Sequence, residues 1–368
     1  ETDGMDALKH KEEGELVTDL FQLAKKGEPV VIEETGYDPI ALLTLYVKRS
    51  LSGLNVIGDT DHVEAFMFSC ESLDERTVEV LKQVAAGLSL KTKSFFYQSY
   101  AESFYQYMVH QPEDIWVRQV LLCDYHSDVM KIYRMECNRR TTPMVVYIEK
   151  DERNFFACGD YPEEEEKKQN VFTQMDEKML AMAQELAEGQ MITSVYLIGE
   201  GFSEEWMKES LRFLCRNRRV FQGNNLYSKG ACYALRERLY PTEISGRYVF
   251  LGEDKLKANI GMKVYRQGES SYLALLDAGV SWYDARFQTE VYLEEGNSFD
   301  IVLTPLNGKD ARYGKVTLTG LPERKTPTRL YIEISMTGEN KVRLYVEDLG
   351  FGELSPSGYQ KWTENFEI

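Results

Sequence analysis

The segment at residues 194–201 reads Ser-Val-Tyr-Leu-Ile-Gly-Glu-Gly. Its first five residues are typical of a buried strand, because they form a short apolar run rich in β-branched and aromatic side chains. The two glycines permit a tight turn, and the apolar spacing that follows near Ser203–Leu214 predicts a helix. A strand that passes through a turn directly into a helix is typical of α/β proteins.

The residues before this segment continue the alternation of strands and helices. Val117–Cys123 and Val129–Cys137 are predicted as two strands, joined by a turn at residues 124–127 that reads Asp-Tyr-His-Ser. The spacing of apolar residues predicts a helix over Asp176–Glu188. The four consecutive glutamates Glu163–Glu166 are predicted to lie in a solvated loop.

Capping residues mark the predicted helices nearer the N-terminus. Asp38-Pro39 is a favourable helix start, with an acidic N-cap followed by proline in the first turn. Residues 72–75 read Ser-Leu-Asp-Glu, a capping box that opens another helix. Strands are predicted over His62–Cys70 and near Leu90–Phe96, and a helix from Ser99 to Val109.

After Pro241 the pattern changes to short stretches in which apolar and polar residues alternate, which is typical of strands with one buried face. Turn signals such as Asn307-Gly308 and Thr337-Gly338 separate these stretches. The pattern predicts an all-β sandwich of about 125 residues that begins near Leu239–Ser245. The predicted strands are Arg247–Leu251, Gly261–Tyr265, Tyr272–Leu276, Phe287–Leu293, Phe299–Leu303, Lys315–Thr319, Arg329–Ser335 and Lys341–Val346.

The composition excludes several classes of protein. The 368 residues carry 60 acidic and 43 basic side chains, a net charge of −17, which argues against nucleic-acid binding through the overall field. No apolar run approaches the roughly 20 residues that span a bilayer, so no membrane association is expected. The 6 cysteines lack paired spacing and are predicted to be reduced thiols of a cytoplasmic, bacterial protein. Because the chain begins at Glu1 without methionine, it is expected to be N-terminally incomplete.

Five segments follow one another in a recognisable order: Val63–Val109, Leu121–Asp124, Val195–Gly201, Asn224–Ala231 and Gly314–Pro322. Together they resemble the DnaK-type heat-shock chaperones, the heat-shock protein 70 family of the actin-like ATPase superfamily. In that resemblance the second segment enters a phosphate loop, the third is similar to the adenosine motif, and the fifth is similar to the substrate-binding sandwich.

The resemblance implies a truncated α/β actin-like (ribonuclease-H-like) ATPase lobe or lobes, followed by an all-β sandwich like the chaperone substrate-binding domain. Residues 1–240 would be an incomplete nucleotide-binding-type domain. Within it, residues 1–110 would be the remnant of the first lobe, and residues 111–240 the second lobe without its outer subdomain. Residues 241–368 would be the sandwich.

The resemblance also shows which chemistry is missing. These ATPases hold phosphates with two glycine-rich hairpins, because backbone N–H groups reach an anion only where glycine allows close approach. The first hairpin is absent from this chain, and the second reads Asp-Tyr-His-Ser-Asp over Asp124–Asp128, with no glycine. Tyr125 and His126 would obstruct a phosphate and Asp128 would repel it, so no catalytic residue is predicted.

Two residues are kept as vestigial catalytic candidates by the resemblance, and two glycines as candidates for adenosine contact. Asp124 would hold a magnesium-bound water, and Gln98 stands where actins have a water-orienting glutamine. The alternatives are an ordinary acidic turn residue and a polar residue at a helix start. Gly199 and Gly201 are candidates for adenosine contact, and the open alternative is a strand-to-helix turn that needs glycine. No cofactor is expected here, and ATP or ADP with magnesium would bind only in a longer protein.

The sandwich departs from the chaperones as well. Where they have an apolar loop over the bound peptide, residues 266–271 read Arg-Gln-Gly-Glu-Ser-Ser, which suits water better. Arg266, Glu269, Tyr272 and Trp282 are the predicted partner-binding residues. The predicted partner is an unknown protein or an extended peptide, which would pair with a sandwich edge strand.

Three hypotheses for function remain open. The first is a non-catalytic cytosolic scaffold or protein-interaction protein, a pseudo-ATPase that keeps the chaperone-like shape. The second is a nucleotide-responsive chaperone-like ATPase whose first phosphate loop lies upstream of Glu1. The third is a module that binds a partner through the sandwich alone.

Overall fold

The computed structural model describes residues 16–56, 63–92, 94–159, 161–306, 309–324, 326–352 and 355–368. The chain divides into two compact units. The first unit comprises Glu1–Tyr100 together with Ala234–Leu239, and the second comprises Ala101–Tyr233 together with Tyr240–Ile368. The predicted Asn307-Gly308 turn and His62, the first residue of a predicted strand, lie outside the described residues.

The first unit contains helices and two small sheets. Its elements are α1 (Leu20–Lys26), β1 (Val30–Ile32), β2 (Thr35–Tyr37), α2 (Pro39–Ser52), β3 (Phe66–Cys70), α3 (Glu75–Gly87) and β4 (Phe95–Ser99). Strands β3 and β4 pair in parallel. Ala24, Val80 and Val84 form a buried core against which Phe68 packs, so α1 and α3 cover one face of this pair.

Carboxylate caps start two helices of the first unit. Asp38 accepts hydrogen bonds from the backbone N–H groups of Ile40 and Ala41, as the Asp38-Pro39 pair predicts. Helix α3 begins one residue after Asp74, whose side chain accepts from the N–H of Thr77 at 2.7 Å. The cap is therefore Asp74 and not Ser72, the first residue of the predicted capping box.

The second unit begins with a six-stranded sheet in the order β10-β7-β6-β5-β8-β9. The elements of this part of the chain are α4 (Tyr100–Val109), β5 (Gln119–His126), β6 (Val129–Asn138), β7 (Met144–Asn154), α5 (Glu165–Ala187), β8 (Ile192–Ile198), α6 (Glu209–Leu214), β9 (Arg219–Gln222), α7 (Leu226–Leu239), α8 (Glu243–Arg247) and β10 (Tyr248–Phe250). Tyr100 and the last turns of α7, Ala234–Leu239, belong to the first unit. Leu121 and Cys123 of β5 pack in a core with Met175 of α5. Leu122, which points to the opposite face, packs in a second core with Phe104 of α4. The sheet therefore lies between helices on its two faces.

Several predicted boundaries differ from the structure. The helix predicted near Ser203–Leu214 begins at Glu209, and the strand predicted near Leu90–Phe96 lies at Phe95–Ser99. Helix α5 begins at Glu165, within the acidic run predicted as a loop. Acidic side chains in a first turn interact favourably with the helix dipole, so they extend this helix towards the N-terminus. Tyr248–Phe250, predicted as part of the sandwich, pairs in parallel with β7. The ring of Phe250 stacks on Tyr105 of α4 at 5.1 Å, and this burial fixes the strand in the α/β sheet.

The rest of the second unit consists of two four-stranded antiparallel sheets, in the orders β12-β11-β14-β15 and β13-β16-β17-β18. Their strands are β11 (Ala258–Arg266), β12 (Glu269–Leu276), β13 (Arg286–Leu293), β14 (Ser298–Pro305), β15 (Arg312–Thr317), β16 (Thr328–Gly338), β17 (Lys341–Asp348) and β18 (Lys361–Glu367). In β16 and β17 every second residue is buried, Ile332 and Leu344 completely. Each of these strands therefore has one covered face.

A buried ionic cluster lies just before β11. The Lys255 ammonium is 2.8 Å from the Glu102 carboxylate of α4, 3.5 Å from the Asp254 carboxylate and donates to the Ser281 hydroxyl at 2.7 Å. All four residues are buried. Burial raises the pKa of Asp254, which Lys255 partly offsets. The cluster joins α4 of the α/β sheet to the two segments that flank the β11–β12 hairpin.

Candidate functional site

The predicted phosphate-loop segment is the hairpin turn between β5 and β6, with His126 and Val129 as its last strand pair. Asp124 is buried at the end of β5, where its carboxylate accepts a 2.8 Å hydrogen bond from the Tyr227 hydroxyl of α7. The His126 ring nitrogen Nε2 is 3.1 Å from the other carboxylate oxygen of Asp124. Asp124 thus has a protein group within 3.1 Å of each carboxylate oxygen.

Glu200 closes this turn from the other side. Its Oε1 atom accepts hydrogen bonds from the Ser127 backbone N–H at 3.2 Å and from the Cys158 thiol at 3.3 Å, and lies 3.9 Å from His126 Nδ1. These hydrogen bonds lower the pKa of Glu200, and the bond from the Ser127 backbone N–H has the largest effect. Burial raises the pKa of Cys158 to about 11, so its thiol remains a donor. A carboxylate of the protein itself therefore occupies the Ser127 N–H donor of this turn.

Gly199 and Gly201, the candidates for adenosine contact, pack against Tyr125. A Cβ atom on Gly199, whose φ is +103°, would lie 2.3 Å from the Tyr125 carbonyl oxygen. A Cβ atom on Gly201 would lie 2.1 Å from the Tyr125 ring. The ring is fully buried, and its hydroxyl donates to the Phe156 carbonyl at 2.6 Å. The space beside both glycines is filled by Tyr125.

The hydrogen bond with Asp124 raises the pKa of His126 above its usual value of 6.5, with further contributions from the charges of Asp124 and Glu200. Burial and Lys131 act in the opposite direction. A group whose pKa is higher in the folded state stabilises that state fully below its unfolded pKa, and the contribution is lost as the pH rises through the folded pKa.

We therefore expect the stability difference between the wild type and His126→Asn to be largest near pH 6 and to shrink as the pH rises, which urea unfolding measures. Because the imidazole is 59% exposed, the difference stays below about 1 kcal/mol. Parallel stability curves from acid to alkaline pH would contradict the expectation.

Gln98, the other vestigial candidate, lies in the first unit. It belongs to strand β4, where it pairs with Ser69 of β3 and is completely buried. A polar residue at a helix start was one of the two alternatives for Gln98, and α4 begins two residues later, at Tyr100. The structure thus gives Gln98 a place inside a strand.

The four predicted partner-binding residues do not form one surface. Arg266 and Glu269 are exposed and flank the β11–β12 turn, where Gln267 and Gly268 have positive φ. Tyr272 is half-exposed on the same hairpin. Trp282 is buried beyond the opposite end of that hairpin, where its backbone N–H donates to the Asp254 carbonyl at 3.0 Å, and so it is not a surface residue.

A groove that the sequence analysis missed lies between the edge strands β15 and β18. Its volume is about 240 Å³, and the buried Ile301 and Leu303 of β14 line it. Gly314 lies opposite Ile301 on β15, and no atom lies within 4 Å of a Cβ atom built on it. A glycine in the middle of a strand was the available signal, because such a position often marks a close approach.

Charged side chains border this groove on both strands. Arg312 and Lys315 of β15 are basic, and Glu364 and Glu367 of β18 are acidic. Glu364 lies opposite Leu344, which is completely buried, so this charge is on the covered face of its strand. An inward-facing charge on an edge strand opposes uncontrolled strand pairing.

Comparison with known proteins identifies the family of this chain. It belongs to the family described as "Family of unknown function (DUF5716) C-terminal", which matches residues 3–253. Residues 255–368 match a "Domain of unknown function (DUF8552)". The two matches meet just before β11. No protein with a curated description matches the sequence.

Among solved structures, the chain is similar to one titled "Alp12 filament structure". The sequences are 11% identical and the TM-score is 0.30. The alignment covers 41% of this chain and 56% of that one, so the chain spans little more than half of the length of that protein.

The described residues contain neither a membrane-spanning helix nor a group of side chains placed to bind a metal ion. No helix among them is long and apolar enough to cross a membrane. Across the same ranges, no group of three or more His, Cys, Asp or Glu side chains is placed to hold a metal ion.

Proposed function

We propose that this protein is a non-catalytic relative of the actin-like ATPases, similar to the heat-shock 70 chaperones, and that it acts through protein–protein interaction. The observation that carries the proposal is the Glu200 carboxylate on the β5–β6 turn. A turn that binds phosphate needs free N–H donors and room for the anion. Here the Ser127 N–H already bonds a carboxylate, whose charge would repel a phosphate.

The packing of Tyr125 supports the same proposal. A ring held between aromatic neighbours does not move aside without the loss of buried contacts. Phe155 and Phe202 pack against it edge-to-face, with ring centroids 5.0 and 5.6 Å away. Gly199 and Gly201 are therefore explained by close packing, with no need for a nucleotide.

We expect millimolar magnesium ATP or ADP to leave the melting temperature of the full-length native protein unchanged to within about 1 °C. A ligand at 100 times its Kd would add about 2.7 kcal/mol of stability, which is a shift of several degrees. The measurement is a thermal melt, and the matched control contains magnesium chloride and sodium phosphate at the same concentrations.

A shift of several degrees, or ATP turnover that is lost in Asp124→Ala, would overturn the proposal and favour the nucleotide-responsive ATPase. Glu200→Gln provides a second comparison, because it removes the charge from the turn while it keeps the size of the side chain. Because the Tyr125 ring still fills the space beside Gly199 and Gly201, we expect Glu200→Gln alone to show no shift of the melting temperature with nucleotide either.

A further inference from the structure

We propose that the groove between β15 and β18 binds an extended peptide segment, which adds to the sheet as a new strand beside β15. The inference names the site and the chemistry of the partner. It rests on the proposed role in protein interaction, but not on the proposed loss of ATPase activity.

The backbone of β15 is open on one side. Within the described strands, β15 has β14 as its neighbour in the sheet, and β18 has β17. An edge strand presents N–H and C=O groups that an extended segment can pair with, and the main-chain hydrogen bonds then supply much of the affinity. The groove lies between these two edges, where an added strand would be placed.

The open space beside Gly314 determines which inward-facing side chains of the peptide would fit. Ile301 opposite it is 1% exposed, so Gly314 faces the covered side of the sheet. The space next to Gly314 is open, and Leu303, Val316 and Phe366 line the groove around it. A branched apolar side chain such as valine would fill this space and remove apolar surface from water.

The charged side chains that border the groove determine which residues are favourable at the other positions of the peptide. Lys315 and the exposed Tyr313 are neighbours on β15, and Lys263 lies 5.6 Å from the Tyr313 ring. An acidic side chain of the peptide would therefore be favourable on this face. Because alternate residues of a strand point to opposite faces, the partner should alternate apolar residues, which face Gly314, with charged residues on the open face.

A neutral synthetic peptide tests this chemistry, because the net charge of −17 would repel an acidic one. The probe carries a fluorescent label, and valine alternates in it with glutamate or lysine. The control peptide has the same composition with the valines in one block. We expect the full chain to bind the alternating peptide at least tenfold more tightly by fluorescence anisotropy. Equal binding of the two peptides, or no binding up to millimolar protein, would overturn the proposal.

Gly314→Val locates the site. Its side chain enters open space, and valine favours a strand, so we expect the variant to fold and to bind the alternating peptide at least tenfold more weakly. The matched control is Gly223→Val, where a Cβ atom also meets nothing within 4 Å, and binding should stay within twofold of the wild type. Equal binding by both variants would overturn the assignment to this groove.

If Gly314→Val does not fold, a measurement on the wild-type protein still tests the proposal. Peptides N-methylated at alternate amides cannot donate from those positions to β15. One of the two possible sets should lose binding and the other should keep it, because alternate amides of a strand point to opposite sides. Equal loss or equal retention would contradict strand addition. ATP turnover would overturn only the proposed loss of catalysis. Failure of the peptides to bind would overturn only the proposed binding site in the groove.

Discussion

Lys255→Met is expected to lower the free energy of unfolding by about 3–5 kcal/mol, because it leaves the buried Glu102 and Asp254 carboxylates without their cation. Methionine keeps most of the length of the side chain, so the effect reports the lost charge and not a large cavity. The measurement is urea unfolding followed by circular dichroism.

Lys257→Met is the matched control for this prediction, because Lys257 is an exposed lysine two residues away. A surface substitution of this kind should stay within about 0.5 kcal/mol of the wild type. The deficit of Lys255→Met should also shrink in acid, because the pKa of Asp254 is already raised and protonation removes its buried charge. If the two variants were equally stable at neutral pH, the cluster would not hold α4 to the β11–β12 hairpin.

Gly201→Ala is expected to destabilise the protein by about 3 kcal/mol, because the new Cβ atom would overlap the Tyr125 ring. The ring cannot retreat freely, since its hydroxyl is bonded to the Phe156 carbonyl. Gly223→Ala is the control, because its Cβ atom meets no other atom within 4 Å. We expect no loss of stability for that variant in the same thermal or urea unfolding experiment.

A double-mutant cycle identifies the cause of the Gly201→Ala effect. Tyr125→Leu removes the ring that a Cβ atom on Gly201 would meet, at its own cost in buried surface. The two substitutions together should cost less than the sum of their separate costs by more than about 1 kcal/mol. Additive costs would mean that Gly201 is required for something other than the space that Tyr125 occupies.

The long, strongly periodic elements could be predicted from the sequence. Helix α4 at Tyr100–Val109 matches the predicted Ser99–Val109 to within one residue, and β16 at Thr328–Gly338 encloses the predicted Arg329–Ser335. These patterns are local, because alternation or helical spacing within one segment determines which face is buried. The neighbour of a strand is not local information. Tyr248–Phe250 alternates like a sandwich strand but pairs with β7, about a hundred residues earlier in the chain.

The candidate site shows the same limit. The sequence alone reveals that the Asp124–Asp128 turn has no glycine. It does not reveal that the Glu200 carboxylate accepts from the Ser127 N–H of that turn. Ser127 and Glu200 are 73 residues apart, and only the pairing of β5 with β8 brings them together. Trp282 was expected at a surface because tryptophan is frequent at interfaces, but its burial depends on the segment before β11. The groove at Gly314 depends on two strand edges about fifty residues apart.

The filling of the β5–β6 turn also limits how this protein can change by mutation. Glycines introduced over residues 125–128 would loosen the turn, but the Glu200 carboxylate would still accept from the backbone N–H of residue 127 and would still repel an anion. Removal of Glu200 alone would leave the Tyr125 ring against Gly199 and Gly201. Each single step therefore costs stability and opens no ligand site. Selection acting on one substitution at a time would meet a barrier here, and a designer who wanted an anion at this turn would have to change both elements at once.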